Sequence, residues 1–156
     1  MRKPFASAIQ ERQLAWARDG HIATSALEQS RGGTWILNAE HRGLNLFRPG
    51  WLDYIKGREH LWFRSLISSQ AFAINIFAPC AEDSTLCINV LRFLLPDREL
   101  ASGDSAIVCF EHTPGGSRSW LGEEGTRQPT QIDVHIEARR SGHVLVEVKY
   151  TEHGTA

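Results

Sequence analysis

The chain has 156 residues, 42% hydrophobic and 22% charged, proportions that build a globular core and exclude a disordered or low-complexity protein. A formal net charge of −1 excludes a strongly basic, non-specific nucleic-acid binder. No apolar run reaches the roughly 18–20 residues that span a bilayer, and Met1-Arg2-Lys3-Pro4 leads into no apolar signal segment, so the expectation is a cytoplasmic protein without a membrane segment. Helical spacing of Phe5, Ala8, Ile9, Ala15 and Trp16 predicts a first helix over residues 5–18, closed by Asp19-Gly20. Residues 20–34 show little periodicity, Ser30-Arg31-Gly32-Gly33 is a turn signal, and residues 35–50 read as irregular. Trp51 to Ile55 is a short amphipathic piece. The dense apolar run from Leu61 to Phe77 predicts a buried helix of about four turns, ended by Pro79. A second helix fits Asp83 to Leu95, with Ser84 as its cap and Pro96-Asp97 as its stop.

After residue 104 the period changes to two. Residues 105–112 predict a strand, residues 113–129 a long loop, and residues 130–138 and 143–150 a hairpin around Arg139-Arg140-Ser141-Gly142. Helices followed by an antiparallel meander make an α+β plan in one domain, residues 1–156. In the hairpin, Ile132, Val134 and Ile136 share one face, and Asp133, His135 and Glu137 the other. Packing both apolar sets on one layer requires opposed residues whose numbers sum to an even value. Asp133 then faces either Glu147 or Lys149, and a three-residue loop ending in a left-handed Gly142 suits the tighter option. Two carboxylates gathered this way repel, and a hard divalent cation relieves them. A lysine beside the ion positions water and offsets charge on a phosphoryl oxygen. A solvated sheet face with alternating charges is the competing reading of the same residues.

Asp133 with Glu147-Val148-Lys149 on consecutive strands resembles the PD-(D/E)XK nuclease signature. The run Ser68 to Asn75, then Phe110-Glu111, Leu121-Gly122-Glu123 and Val146 to Glu152, is similar to a restriction-endonuclease-like bacterial branch of that superfamily. The resemblance covers roughly residues 40–152, with residues 61–152 as the nuclease-like core behind an irregular and helical part, residues 1–60. It implies helices packed on an antiparallel β-meander and a metal-dependent endonuclease-like phosphodiesterase acting on DNA. It further implies Asp133 and Glu147 as ligands of Mg²⁺ (or Mn²⁺), Lys149 as the catalytic lysine, and Glu111 as an added carboxylate. The sequence stops seven residues past Lys149, whereas the superfamily core continues with another helix and strand. A homodimer or partner chain completing the sheet is therefore an expectation, and a non-catalytic DNA-binding or interaction module with a truncated nuclease fold is the alternative.

Several other residues carry expectations. Gln70 and Asn75 are candidates for contacts to the site or DNA, with a satisfied core hydrogen bond the preferred role. His112, His135 and His143 fall in the strand region, and hydrogen bonding or solvation outweighs a ligand role for them. Trp62 is expected in the core, and Trp120, near Arg118 and Arg127, either stacks on a base or packs under its loop. Arg42, Arg48, Lys56, Arg58 and Arg64 are candidate phosphate contacts. They lie in a basic stretch, residues 1–64, with 10 Lys+Arg against 6 Asp+Glu, whereas residues 65–156 hold 7 against 12. Cys80, Cys87 and Cys109 lack C-x2-C spacing, which argues against a zinc site or disulfide framework and predicts buried thiols.

Overall fold

A computed structural model describes residues 5–31, 34–113 and 131–149. The protein is α+β, with helices and antiparallel strands in two small sheets. Two compact units divide it: residues 1–75 with 148–156, and residues 76–147. The loop holding Trp120, Arg118, Arg127 and Leu121-Gly122-Glu123, and the stretch Tyr150-Thr151-Glu152, lie outside the described residues.

In the first unit, helix α1 spans Phe5–Trp16 and runs into a wider turn, Ala17–His21. Gly20 breaks it at φ +92°, a left-handed conformation that glycine adopts without a Cβ clash. A hairpin follows that the sequence pattern did not reveal: β1 (Leu27–Gln29) pairs antiparallel with β2 (Trp35–Leu37), Leu27 opposite Leu37. Its turn is the expected one at Ser30, whose N–H donates to the Thr34 carbonyl at 2.8 Å. Strands of three residues are too short to display an alternation. Leu37 packs with Ala17, Ile22 and Ala26 in a small core, flanked by Leu27 and Leu66. Short 3-10 turns at Arg42–Asn45 and Pro49–Ile55 come next, the second burying Trp51 and Ile55 as the amphipathic spacing predicts.

The expected helix from Leu61 to Phe77 is corrected in both its limits. Helix α2 spans Ser69–Glu82, and residues 61–67 form turns interrupted by a bridge from Ser65 to Ile36. Their carbonyls are taken by distant partners: Asn45 Nδ2 donates to the Phe63 and Ser65 carbonyls at 2.7 and 2.8 Å, and the Leu37 N–H donates to Arg64 at 2.9 Å. These side-chain and cross-strand bonds hold the segment in local turns, such as the one in which the Ser68 N–H donates to the Ser65 carbonyl at 3.1 Å, rather than in a continuous helix. Phe63 is buried, but Leu61 is 85% and Trp62 64% exposed, so Trp62 is not a core residue. Pro79 lies inside α2 rather than ending it. A proline within a helix forfeits one i→i−4 bond at a cost of about 3 kcal/mol. Burial of Phe77, Ala78 and Cys80 beside it offsets that loss.

In the second unit, helix α3 spans Ser84–Leu94. Its cap is Asp83, not Ser84: the Asp83 carboxylate accepts from the N–H groups of Thr85 (2.8 Å) and Leu86 (3.1 Å). Ser84 Oγ instead accepts from the Ala106 N–H at 2.7 Å, tying α3 to the first strand of the sheet. Cys87, Ile88 and Leu91 give α3 one buried face. β3 (Ala106–His112) packs against the helix, and β3, β4 (Ile132–Ala138) and β5 (Gly142–Val146) form an antiparallel sheet in the order β3-β4-β5. Phe110, Val134 and Ile136 supply the buried side, each worth about 1.5–3 kcal/mol when fully removed from water. β5 is shorter than the strand expected over residues 143–150, because pairing stops at Val146.

The cysteines are free, with Cys80 and Cys87 buried and Cys109 half-buried. Burial pushes the Cys80 thiol up and the Cys87 thiol up to about 12. Such thiols are packing groups rather than nucleophiles.

Candidate active site

The polar face of the β3-β4-β5 sheet is built by alternation. On β4, Ile132, Val134, Ile136 and Ala138 are buried, and Asp133, His135 and Glu137 are half-buried between them. The ladder pairs Val134 with Val146, His135 with Leu145 and Ala138 with Gly142. Continued one residue beyond its last pair, this register sets Asp133 opposite Glu147. Of the two partners left open by parity, the extended register points to Glu147, although the ladder itself ends at Val134–Val146. On the other side of β4, the pairs Phe110–Val134 and His112–Ile132 bring Glu111 level with Asp133. By extension of the two ladders, Glu111, Asp133 and Glu147 fall at one level of the sheet, with Glu147 past the end of β5.

The turn that fixes this register is clamped by a residue that sequence reasoning passed over. Ala138 and Gly142 enclose Arg139-Arg140-Ser141, and Gly142 takes φ +116°, which glycine alone adopts without strain. Asp104 receives the Ser141 hydroxyl at 2.5 Å, the Arg140 N–H at 3.1 Å and the Ser105 N–H at 2.8 Å. The Ser141 hydrogen bond, followed by those from Arg140 and Ser105, holds the Asp104 carboxyl below the usual carboxylate range. Ser102-Gly103-Asp104-Ser105, a turn composition with Asp placed to bond nearby N–H groups, is the signal that could have marked it.

The four predicted site residues have different surroundings. Asp133 is half-buried on β4; Glu147 is exposed, one residue past β5. Lys149 is exposed two residues further along and belongs to the first unit, whereas the carboxylates belong to the second. Glu111 is 2% exposed, not the surface glutamate that a strand end suggests, and its φ of +49° is unusual for a non-glycine residue. That break in the strand's alternation brings the His112 ring to 4.4 Å from the His135 ring. His135 Nε2 lies 3.0 Å from His143 Nδ1, one of the two nitrogens carrying the shared proton, and His135 Nδ1 is buried without a hydrogen bond. Burial first, then the charges of His112 and His143, lower the His135 pKa, against an opposing effect of Glu137.

Among the described residues no group of three or more His, Cys, Asp or Glu is arranged to hold a metal ion. Neither the carboxylate row nor the histidine row is therefore a ready three-ligand centre. Asp133 and Glu147 are carboxylates, the donor type that suits Mg²⁺, which is commonly bound through one or two carboxylates and otherwise keeps water. The helix residues Gln70 and Asn75 fill core roles. Gln70 receives the His60 N–H at 2.9 Å and donates to the Arg58 carbonyl at 3.0 Å. Asn75 receives the Phe47 N–H and donates to the Asn45 carbonyl, both at 2.8 Å.

Most of the candidate phosphate contacts make contacts within the first unit. Arg42 donates to the Ala39 carbonyl, Arg58 to the Tyr54 carbonyl, and Arg64 to the Leu37 carbonyl and to Glu28 at 2.6 Å. The Arg48 guanidinium lies 5.4 Å from the Trp51 ring, and Lys56 is exposed. No helix among the described residues is long and apolar enough to cross a membrane.

A family model described as "restriction endonuclease associating with ARP" matches residues 44–156. No curated protein and no solved structure gives a significant match.

Proposed function

The chain belongs to the family described as restriction endonuclease associating with ARP, and we propose that it is a metal-dependent endonuclease-like phosphodiesterase of the PD-(D/E)XK type, hydrolysing DNA in the cytoplasm. One observation carries the reading: the β4–β5 register, whose extension one residue past Val134–Val146 supports Asp133 and Glu147 as partners. In this mechanism Asp133 and Glu147 are the metal-binding carboxylates, one fixed on a strand and the other exposed. Mg²⁺ or Mn²⁺ bound there would lower the pKa of a coordinated water and stabilise charge on the phosphate. Lys149, two residues from Glu147, orients the attacking water and offsets charge on the non-bridging oxygens. Glu111 steadies the row from β3. Water adds to phosphorus as the bond to the sugar oxygen breaks, and that oxygen takes up a proton as it leaves.

Purified protein incubated with plasmid DNA and Mg²⁺ or Mn²⁺ tests this. Cleavage is expected, and it is expected to vanish with EDTA, with Glu147→Gln and with Lys149→Ala. Cleavage that survives all three overturns the assignment.

A second reading, a non-catalytic DNA-binding or interaction module, is favoured by β5 ending at Val146, ahead of both Glu147 and Lys149. DNA binding indifferent to metal and to Lys149→Ala decides for it. Under either reading, the association named in the family's description supports a protein partner. β5 pairs only with β4 among the described residues. Its outer edge suits a strand from a second copy or from that partner.

A further inference from the structure

The first unit holds a cavity of about 250 Å³, below the roughly 300–1,000 Å³ of drug-sized ligand clefts and suited to one planar ring system. Trp16, Leu44, Phe47 and Phe72 give it apolar walls, and Asn45 and Asn75 are among its polar lining. Phe47 is 81% exposed and Trp16 52%, so neither ring is there to fill the core. Both are nevertheless held. The Phe47 N–H donates to Asn75 Oδ1, and Asn75 Nδ2 donates to the Asn45 carbonyl, pinning the backbone that presents the ring. The His21 ring stacks on Trp16 at 4.7 Å and 4°, holding one face of an indole that also lines the cavity.

The amide groups of Asn45 and Asn75 are engaged with backbone, Asn45 Nδ2 with Phe63 and Ser65 and Asn75 as above. Aromatic faces, more than a hydrogen-bond pattern, are thus what this cavity offers an occupant. Charge then selects among flat ligands. The first unit carries 11 Lys+Arg against 7 Asp+Glu, the second 6 against 11. Arg12, one turn before Trp16 on α1, and Arg48, directly after Phe47, are both exposed. Flat rings on a basic unit match a chain of bases joined by phosphates, since every base has a π-face and every linkage a negative charge.

We propose that this cavity receives an unstacked base of single-stranded or locally opened DNA, with Trp16 and Phe47 as its stacking walls. The proposal rests on the reading that the chain acts on DNA, and it names the substrate state: a strand with at least one base out of the duplex stack.

The test is fluorescence anisotropy in EDTA with a labelled single-stranded oligonucleotide, the same-length duplex, and a same-length strand lacking its bases. The base-bearing strand is expected to bind at least fivefold more tightly than the other two. Phe47→Ala is expected to reduce that preference below twofold without changing the salt dependence, and Phe47→Trp to restore it; far-UV circular dichroism checks the fold of each variant. Equal affinity for base-bearing and base-free strands overturns the proposal. So does an unchanged preference in Phe47→Ala, which would assign the cavity to a protein partner instead. Because EDTA suppresses metal-dependent cleavage, a failure of the nuclease reading shows in the plasmid assay alone and leaves this measurement interpretable.

Discussion

Ser141 Oγ donates to Asp104 Oδ2 at 2.5 Å, joining the β4–β5 turn to the segment that leads into β3. The same Ser141 oxygen accepts from the Ala101 N–H at 2.8 Å, and Arg140 reaches back to the Ser102 carbonyl at 3.0 Å. The turn is therefore held from outside itself, and with it the β4–β5 register. Asp104→Ala removes three acceptor contacts at once. It is expected to lower the urea midpoint of unfolding, and to lower any metal-dependent cleavage although Asp104 itself touches no substrate. An activity loss without a stability loss would contradict a purely positioning role.

Acid should weaken the fold in two stages. His135 has a folded pKa below its unfolded value near 6.5, so the unfolded chain binds the extra proton first. Its contribution is complete above that value and is lost as pH falls from about 6.5 towards the folded pKa. Asp104 is also lowered, so its contribution is present above the usual Asp value and is lost as pH falls through its folded pKa. Thermal midpoints measured from pH 7.5 to pH 3 should decline in both windows. The upper decline should flatten in His135→Gln, and the lower one in Asp104→Asn.

Neighbouring aromatic residues at positions 62 and 63 should behave oppositely. Phe63 is 1% exposed, and Phe63→Ala is expected to cost about 3–5 kcal/mol. Trp62→Ala should stay within about 0.5 kcal/mol of the parent, as an exposed side chain does. Urea denaturation of the two variants side by side settles which ring belongs to the core.

Thiol labelling gives an independent check of the helix packing. At pH 8 a small alkylating reagent should modify the half-buried Cys109 in the native chain and spare Cys80 and Cys87, whose thiols are raised by burial. Unfolding in denaturant should release all three cysteines.

The hairpin was legible in the sequence because alternation leaves no choice of face: Ile132, Val134 and Ile136 must point one way. The position of α3 was legible from its flanking Asp83 and Pro96, although the cap is the aspartate and not the serine beside it. The stretch from Leu61 to Ser68 was not legible. Its apolar density suggests a buried helix, but its conformation is decided by Asn45 and Leu37, which are remote in sequence and donate to its carbonyls. Candidate residues on β4 could be located by parity alone. The end of β5 at Val146 could not, since nothing in Glu147-Val148-Lys149 breaks the alternation. Glu111 was placed at its strand end, but neither its burial nor its φ of +49° leaves a mark in composition.

That backbone angle puts two selective pressures on one residue. A left-handed conformation disfavours any side chain relative to glycine by about 1–2 kcal/mol, and at position 111 the side chain is a carboxylate held out of solvent. A lineage bred in the laboratory for heat resistance alone would gain from relaxing the backbone there, Glu111→Gly being the direct route. A lineage bred for strand cleavage would be pushed to keep the acid and accept the tension. Sequencing both after many generations would report, at this one codon, whether the carboxylate row is architecture or chemistry.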